Sequence, residues 1–194
     1  MLKFHMTPFG TLLRNIFDVM EQYEAKFTFP IAASIALKNI EHVNEILTFG
    51  HEVAVHGFKH VMYTYLSEQQ QENDIKKAVK TFKELGIPTR GFRAPYNTYT
   101  EHTPRLVEKY GFLWDAGIGY NPKYRERTSF FRVPLNNHLS SFICIPLNRW
   151  SDDAMIDLYG FKSHQIGENL KRVIKRTREK HGVVMFDLHP IRIG

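Results

Sequence analysis

Apolar residues recur along this chain with two different periods, and the period changes from element to element. In residues 11–24, Leu12, Leu13, Ile16, Phe17, Met20 and Tyr23 fall on one stripe, the three-to-four spacing of an amphipathic helix. Short apolar runs at 2–6, 26–32 and 52–56 predict strands, and 39–48 predicts a helix between the last two. Ser67 and Gln70 have the spacing of a capping box, so a helix is predicted from there to Leu85, with Ile75, Val79 and Phe82 inward. Gly86 ends it and Pro88 prevents its resumption. A strand near 90–93, a helix near 103–110 and a strand near 112–115 follow. Residues 117–140 keep no period and carry turn signals at Asn121-Pro122 and Asn136-Asn137. A strand at 141–146, a helix at 163–181 and a strand at 183–188 complete the chain. Alternating strands and helices predict an α/β fold with a largely parallel sheet. No linker, repeat or low-complexity segment divides it, so residues 1–194 are read as one domain.

Composition narrows the class. A chain of 194 residues, 43% hydrophobic and 13% aromatic, is long enough to bury a core. Aromatic-rich clefts suit sugars, whose apolar faces stack on rings, although most of the 15 Phe and 9 Tyr belong to the core by default. Cys144, in the apolar run from Phe142 to Ile145, is the one cysteine, which excludes an intrachain disulfide and suggests a buried, inert thiol. The net charge of +6 admits an anionic partner. Its densest basic run, Lys171 to Arg178, carries Leu170, Val173 and Ile174 at helical spacing, so it reads as the solvated face of an amphipathic helix and not as a nucleic-acid site. No apolar run approaches membrane-spanning length and no secretory leader is evident. The chain as written is expected in the cytoplasm, or outside it if a leader was removed.

Three segments carry candidate chemistry. Strand 52–56 empties into His56-Gly57-Phe58-Lys59-His60. Two imidazoles four apart share a face if the segment is helical, and can then reach one ion; the plain alternative is a surface helix with two solvated histidines. Gly91-Phe92-Arg93-Ala94-Pro95-Tyr96 places an arginine fork beside a proline-fixed bend and an aromatic ring. Its plain reading is a loop with a solvated arginine. Val183 to Pro190 is an apolar run ending in Asp187-Leu188-His189-Pro190. A histidine at the mouth of a buried strand suits acid–base work, or simply caps the strand.

Taken in order, these segments resemble the polysaccharide deacetylases, the NodB-like carbohydrate esterases, over nearly the whole chain. HGFKH is similar to that family's metal motif, with Gly57 where Ser or Thr is usual. FRAPY is similar to its R-x-P-Y motif, DLHP to its final L-x-H motif, and Lys26-Phe27-Thr28-Phe29-Pro30 to its second barrel strand. The resemblance implies a distorted (β/α)7 barrel and a metal-dependent hydrolase of carbohydrate metabolism that removes acetyl groups from N- or O-acetylated oligo- or polysaccharide. It implies His56 and His60 as ligands of a divalent ion, expected to be Zn²⁺. It also implies His189 as the acid for the leaving group, Arg93 orienting a carboxylate, and Tyr96, Pro95 and Trp114 against substrate.

The first strand departs from the family's pattern. Its usual pair of aspartates supplies the base and a third ligand, but here register places His5 and Met6, and no Asp or Glu precedes Asp18. His5 is therefore the expected substitute ligand or base, with Asp115 in reserve and as the acid that Arg93 orients. Ser151-Asp152-Asp153 is the other segment that could supply a replacement carboxylate, though Asp152 and Asp153 read first as a helix start behind an N-cap at Ser151. The missing pair supports an alternative: a degenerate relative that binds carbohydrate without hydrolysing it. Hydrolysis of a small non-sugar amide by the same site is a third reading. The family usually adds a closing helix after the last strand, so a truncated chain, or a homo-oligomer covering the exposed surface, is expected.

Overall fold

The structure, a computed structural model, describes residues 8–118, 121, 123–124 and 127–189. The elements run α1 (Phe9–Gln22), β1 (Thr28–Ile31), α2 (Ala33–Ala36), α3 (Ile40–Thr48), β2 (Glu52–Val55), α4 (Glu68–Glu84), β3 (Thr89–Phe92), α5 (Thr103–Lys109), β4 (Trp114–Asp115), β5 (Pro134–Leu135), β6 (His138–Leu139), β7 (Ile143–Cys144) and α6 (Ser163–Glu179). Short 3₁₀ turns lie at Tyr63–Tyr65 and Pro95–Asn97, and a π-helical turn at Ala154–Leu158.

Five strands pair in the order β1-β2-β3-β4-β7, all parallel. Each crossover adds its strand on the same side of the last. Right-handed connections then put the helices on one face, and the sheet curls in the way that leads to a β/α barrel. The core lies on the helix face. Leu13, Phe17 and Met20 of α1, Val43 and Ile46 of α3, and Ile75, Ala78 and Phe82 of α4 are buried in one cluster with Val53, Val55 and Phe92 of the sheet.

The local rules explain the boundaries. Ser67 and Gln70 form the capping box, the Ser67 N–H donating to Gln70 Oε1 at 2.9 Å and the Gln70 N–H to Ser67 Oγ at 3.3 Å. Gly86 follows α4 at φ +69°, the left-handed turn that stops a helix. In the unperiodic stretch, β5 and β6 form a hairpin over Asn136-Asn137, with Asn136 at φ +44°. Tyr23 is not part of the apolar stripe: α1 ends at Gln22 and the ring is exposed. Ile174 is likewise exposed on α6, where Asn169 and Thr177 are the buried residues. Cys144 is buried, and burial pushes its thiol well above the ordinary range.

The expected strand at 2–6 lies outside the described residues. The expected strand at 183–188 is not regular. Asn148 N–H donates to Met185 O at 2.9 Å and Asp152 N–H to Asp187 O at 3.2 Å, so four residues on one side match two on the other and no ladder register forms. These bonds still fix the segment beside the chain that leaves β7, which brings Asp187 and His189 toward the strand ends.

Candidate active site

His56 continues the β1–β2 ladder by one bond, its N–H donating to Ile31 O at 3.1 Å. Gly57 then turns the chain at φ +71°, and residues 56–60 form a loop instead of the helix considered from spacing. The loop achieves what the helix would have: the two imidazole centroids are 5.0 Å apart. His56 Nδ1 lies 2.7 Å from Arg93 O. A carbonyl only accepts, so Nδ1 carries the proton and Nε2 keeps its lone pair. Burial pulls His56 down to about 4, helped by His60 and Arg93 and opposed by the carbonyl contact and by Asp187. His60 is lowered by desolvation first and then by His189, with Asp187 opposing. Both rings are thus neutral at pH 7, the form in which imidazole binds a metal. Tyr96 stands beside them, its ring centroid 4.4 Å from that of His60, on a turn where Tyr96 itself takes φ +56° and Pro95 is buried.

Arg93 continues β3, its N–H donating to Val55 O at 3.0 Å, and its side chain is buried. The fork meets Asp187 Oδ1 at 2.7 Å through Nη1, Ala116 O at 3.2 Å through Nε and Met185 Sδ at 3.6 Å through Nη2. Asn97 Nδ2 donates to the other Asp187 oxygen at 3.1 Å. The acid that Arg93 orients is therefore Asp187 and not Asp115. Asp115 is fully buried, accepts from the Tyr99 hydroxyl and from the N–H groups of Gly117 at 3.0 Å and Ile118 at 2.8 Å, and is raised by desolvation against those bonds. It pins the loop that leaves β4.

His189 pairs with Asp152. Its Nδ1 is 2.8 Å from Asp152 Oδ1, and its backbone N–H donates to Asp152 Oδ2. The side-chain bond to Asp152 raises the imidazole, with desolvation opposing. Burial alone would raise the Asp152 carboxyl, but the His189 bonds outweigh it and hold it low. Asp152 also begins the helical turn expected after Ser151, whose Oγ accepts from the Ala154 N–H at 3.1 Å. Asp152, Asp153 and His189 bring three ligand atoms within 4.8 Å of one another, the one such group among the described residues.

Trp114 is a further correction. Its indole packs directly on Gly91, where an added Cβ would stand 1.9 Å from Cζ2, and Nε1 donates to Glu52 Oε1 at 3.3 Å. Glu52 begins β2 whereas His56 follows its end, so the indole reaches toward the strand end away from the histidines. His5 lies outside the described residues. Asp187 and Asn97 have no assigned role in the sequence reading, and Asp152 enters it as a candidate replacement carboxylate and not as the partner of His189. The signal for Asp187 was a carboxylate interrupting an apolar run two residues before His189. For Asp152, the helix-start pattern explained the residue and hid its second role.

The arrangement is an α/β site at the C-terminal ends of parallel strands, built from three histidines, a buried Arg–Asp pair and a His–Asp pair. Among solved structures, the chain superposes on PuuE allantoinase with a TM-score of 0.78 at 21% identity, covering 94% of this chain and 60% of that one. It superposes on a CE4 family pseudoenzyme from Bacillus anthracis with a TM-score of 0.53 at 14% identity, covering 97% and 62%. These likenesses show the fold, the (β/α)7 barrel of the NodB type, of which the described strands form the five-stranded parallel part. Residues 1–113 match the family model for polysaccharide deacetylase, and the chain belongs to that family. It is 32% identical over 82 residues to a peptidoglycan deacetylase of Helicobacter pylori, covering 42% of this chain and 28% of that protein. It is 26% identical over 110 residues to a peptidoglycan-N-acetylglucosamine deacetylase of Bacillus cereus, covering 55% and 52%. The match thus spans about half or less of these relatives' length.

Proposed function

We propose that this chain carries a metal-dependent hydrolase site that removes acetyl groups from N- or O-acetylated oligo- or polysaccharide. One observation carries the reading: His56 and His60 face each other as neutral rings, with His56 Nδ1 committed to the Arg93 carbonyl, beside an imidazole that Asp152 holds toward its protonated form. The two neutral rings fit a divalent ion with a taste for nitrogen, and Zn²⁺ is the expected one. When bound, the ion supplies Lewis-acid polarisation of the acetyl carbonyl and a lowered pKa for water.

The chain's own groups do the rest. His189 delivers a proton to the departing amine or alkoxide, and Asp152 keeps that proton available near neutrality. The Tyr96 backbone N–H donates to the developing oxyanion. The water-activating base is a carboxylate or an imidazole. Asp187, steadied by Arg93 and Asn97, is the described group that suits it, and His5 remains the proposal from the first strand. The Tyr96 ring and the Pro95 turn shape the wall beside His60. Among the described residues no helix is long and apolar enough to cross a membrane.

The test is acetate release from N-acetylglucosamine oligomers by Zn²⁺-loaded protein. His60→Ala and His189→Ala are each expected to lose about 10²–10⁴ in rate. Unchanged release in both overturns the assignment. The absence of any acid before Asp18 favours a second reading, a carbohydrate-binding relative without hydrolysis. That reading predicts saturable oligomer binding, insensitive to chelator, with no acetate released.

A further inference from the structure

The loop that holds His56 and His60 is gripped from outside by one carboxylate of α4. Asp74 Oδ2 accepts from the Phe58 N–H at 2.8 Å, and Oδ1 accepts from the Lys59 N–H at 3.1 Å. Two consecutive amides converging on one carboxylate form a small anion cradle. Oδ2 also accepts from the Tyr63 hydroxyl at 3.0 Å. Tyr63 is buried, and its own N–H donates to Thr98 Oγ1 at 2.9 Å in the loop that follows Tyr96. Lys77, three residues along α4, sits 3.9 Å from the Phe58 ring centroid. The loop's far side is tied to the turn after β1, where the Ala33 and Ser34 N–H groups donate to Gly57 O and Phe58 O, each at 3.0 Å. The cradle also requires Gly57: a Cβ there would stand 2.6 Å from Asp74 Oδ2 and 3.1 Å from Lys59 O.

We infer that Asp74 is a positioning residue for the proposed metal site: it fixes the backbone of Phe58 and Lys59 and so sets where His60 presents its ring relative to His56. This rests on the metal reading above. Asp74 does not touch the imidazoles and acts through the loop. His56 is anchored separately by the strand ladder and the Arg93 carbonyl, so losing Asp74 frees His60 and leaves His56 in place. The expected consequence is a weaker ion site in a protein that remains folded.

The experiment compares wild type, Asp74→Ala, Asp74→Asn and Tyr63→Phe. Two quantities are read on each: amide hydrogen exchange at Phe58 and Lys59 in metal-free protein, and Zn²⁺ affinity by competition with a chromophoric chelator. Asp74→Ala is expected to speed exchange at both amides and to weaken Zn²⁺ binding roughly 10- to 100-fold, with Asp74→Asn between it and wild type. Tyr63→Phe keeps both amide bonds and is expected to hold Zn²⁺ affinity within about threefold. If Asp74→Ala does not fold, Asp74→Asn, which keeps the side-chain volume, carries the comparison. A purely structural role would lower the melting temperature of Asp74→Asn and Tyr63→Phe alike and move the Zn²⁺ affinity of neither, which overturns the inference. Wild-type protein that binds no Zn²⁺ overturns the metal reading instead. The grip itself is then decided by exchange alone, and unchanged exchange at Phe58 and Lys59 in Asp74→Asn overturns it.

Discussion

One carboxylate, Asp152, holds His189 at two points, the imidazole Nδ1 at 2.8 Å from Oδ1 and the backbone N–H on Oδ2. The ring is thereby fixed in orientation and biased toward imidazolium. A general acid must be protonated to act, so its activity falls as pH rises through its pKa. Asp152→Asn removes the main cause of the upward shift, and the alkaline limb of the acetate-release profile is expected to move to lower pH. An unmoved limb would show that His189 is not the acid.

The same pair links stability to pH. His189 is raised in the folded protein, so its contribution is fully present below the unfolded value near 6.5 and is lost as pH rises through the higher folded value. Asp152 is lowered, so its contribution is fully present above 3.8 and is lost as pH falls through the lower folded value. The stability difference between wild type and Asp152→Asn is therefore expected to be largest between those two unfolded values. Denaturant titrations from about pH 3 to about pH 9, a range that brackets both reference values, check this; a pH-independent difference contradicts it.

Arg93 and Asp187 form a largely buried ion pair, with side-chain exposures of 8% and 19%. Removing one partner leaves the other charge in the interior, so Arg93→Met is expected to destabilise by about 3–5 kcal/mol. Adding Asp187→Asn should recover part of that loss in a double-mutant cycle. Additive losses would mean that the pair is not coupled.

Gly57→Ala places a methyl group against Asp74 at a φ of +71°. The left-handed backbone alone costs about 1–2 kcal/mol, and the clash adds to it. The melting temperature is expected to fall and Zn²⁺ binding to weaken; retention of both would show that the loop relaxes freely.

Most of the fold was legible because local rules and packing agree. The α1 stripe, the Ser67–Gln70 box and the Gly86 stop each have short-range causes, and the structure follows them to within a residue or two. The final segment was not, since its apolar run looks like a strand and only an irregular match to residues 148–152 denies it a register. At the site, His56, His60, Arg93, Tyr96 and His189 were visible as motifs. Their partners were not. Asp187 lies 94 residues from Arg93, and Asp152 lies 37 from His189. Such pairings are set by how strand ends converge, which no spacing encodes. Asp115 misled because an acid at a strand end looks the same in sequence whether it faces a cleft or pins a loop. The HGFKH spacing suggested a helix because i and i+4 share a helical face, while Gly57 brings the rings together by a turn.

The most direct measurement is metal content by native mass spectrometry after dialysis against Zn²⁺, on wild type beside His56→Ala. About one tightly held ion per chain, absent in the variant, is the result predicted for a metal centre built on His56 and His60. No bound ion in wild type, or equal occupancy in His56→Ala, would contradict it.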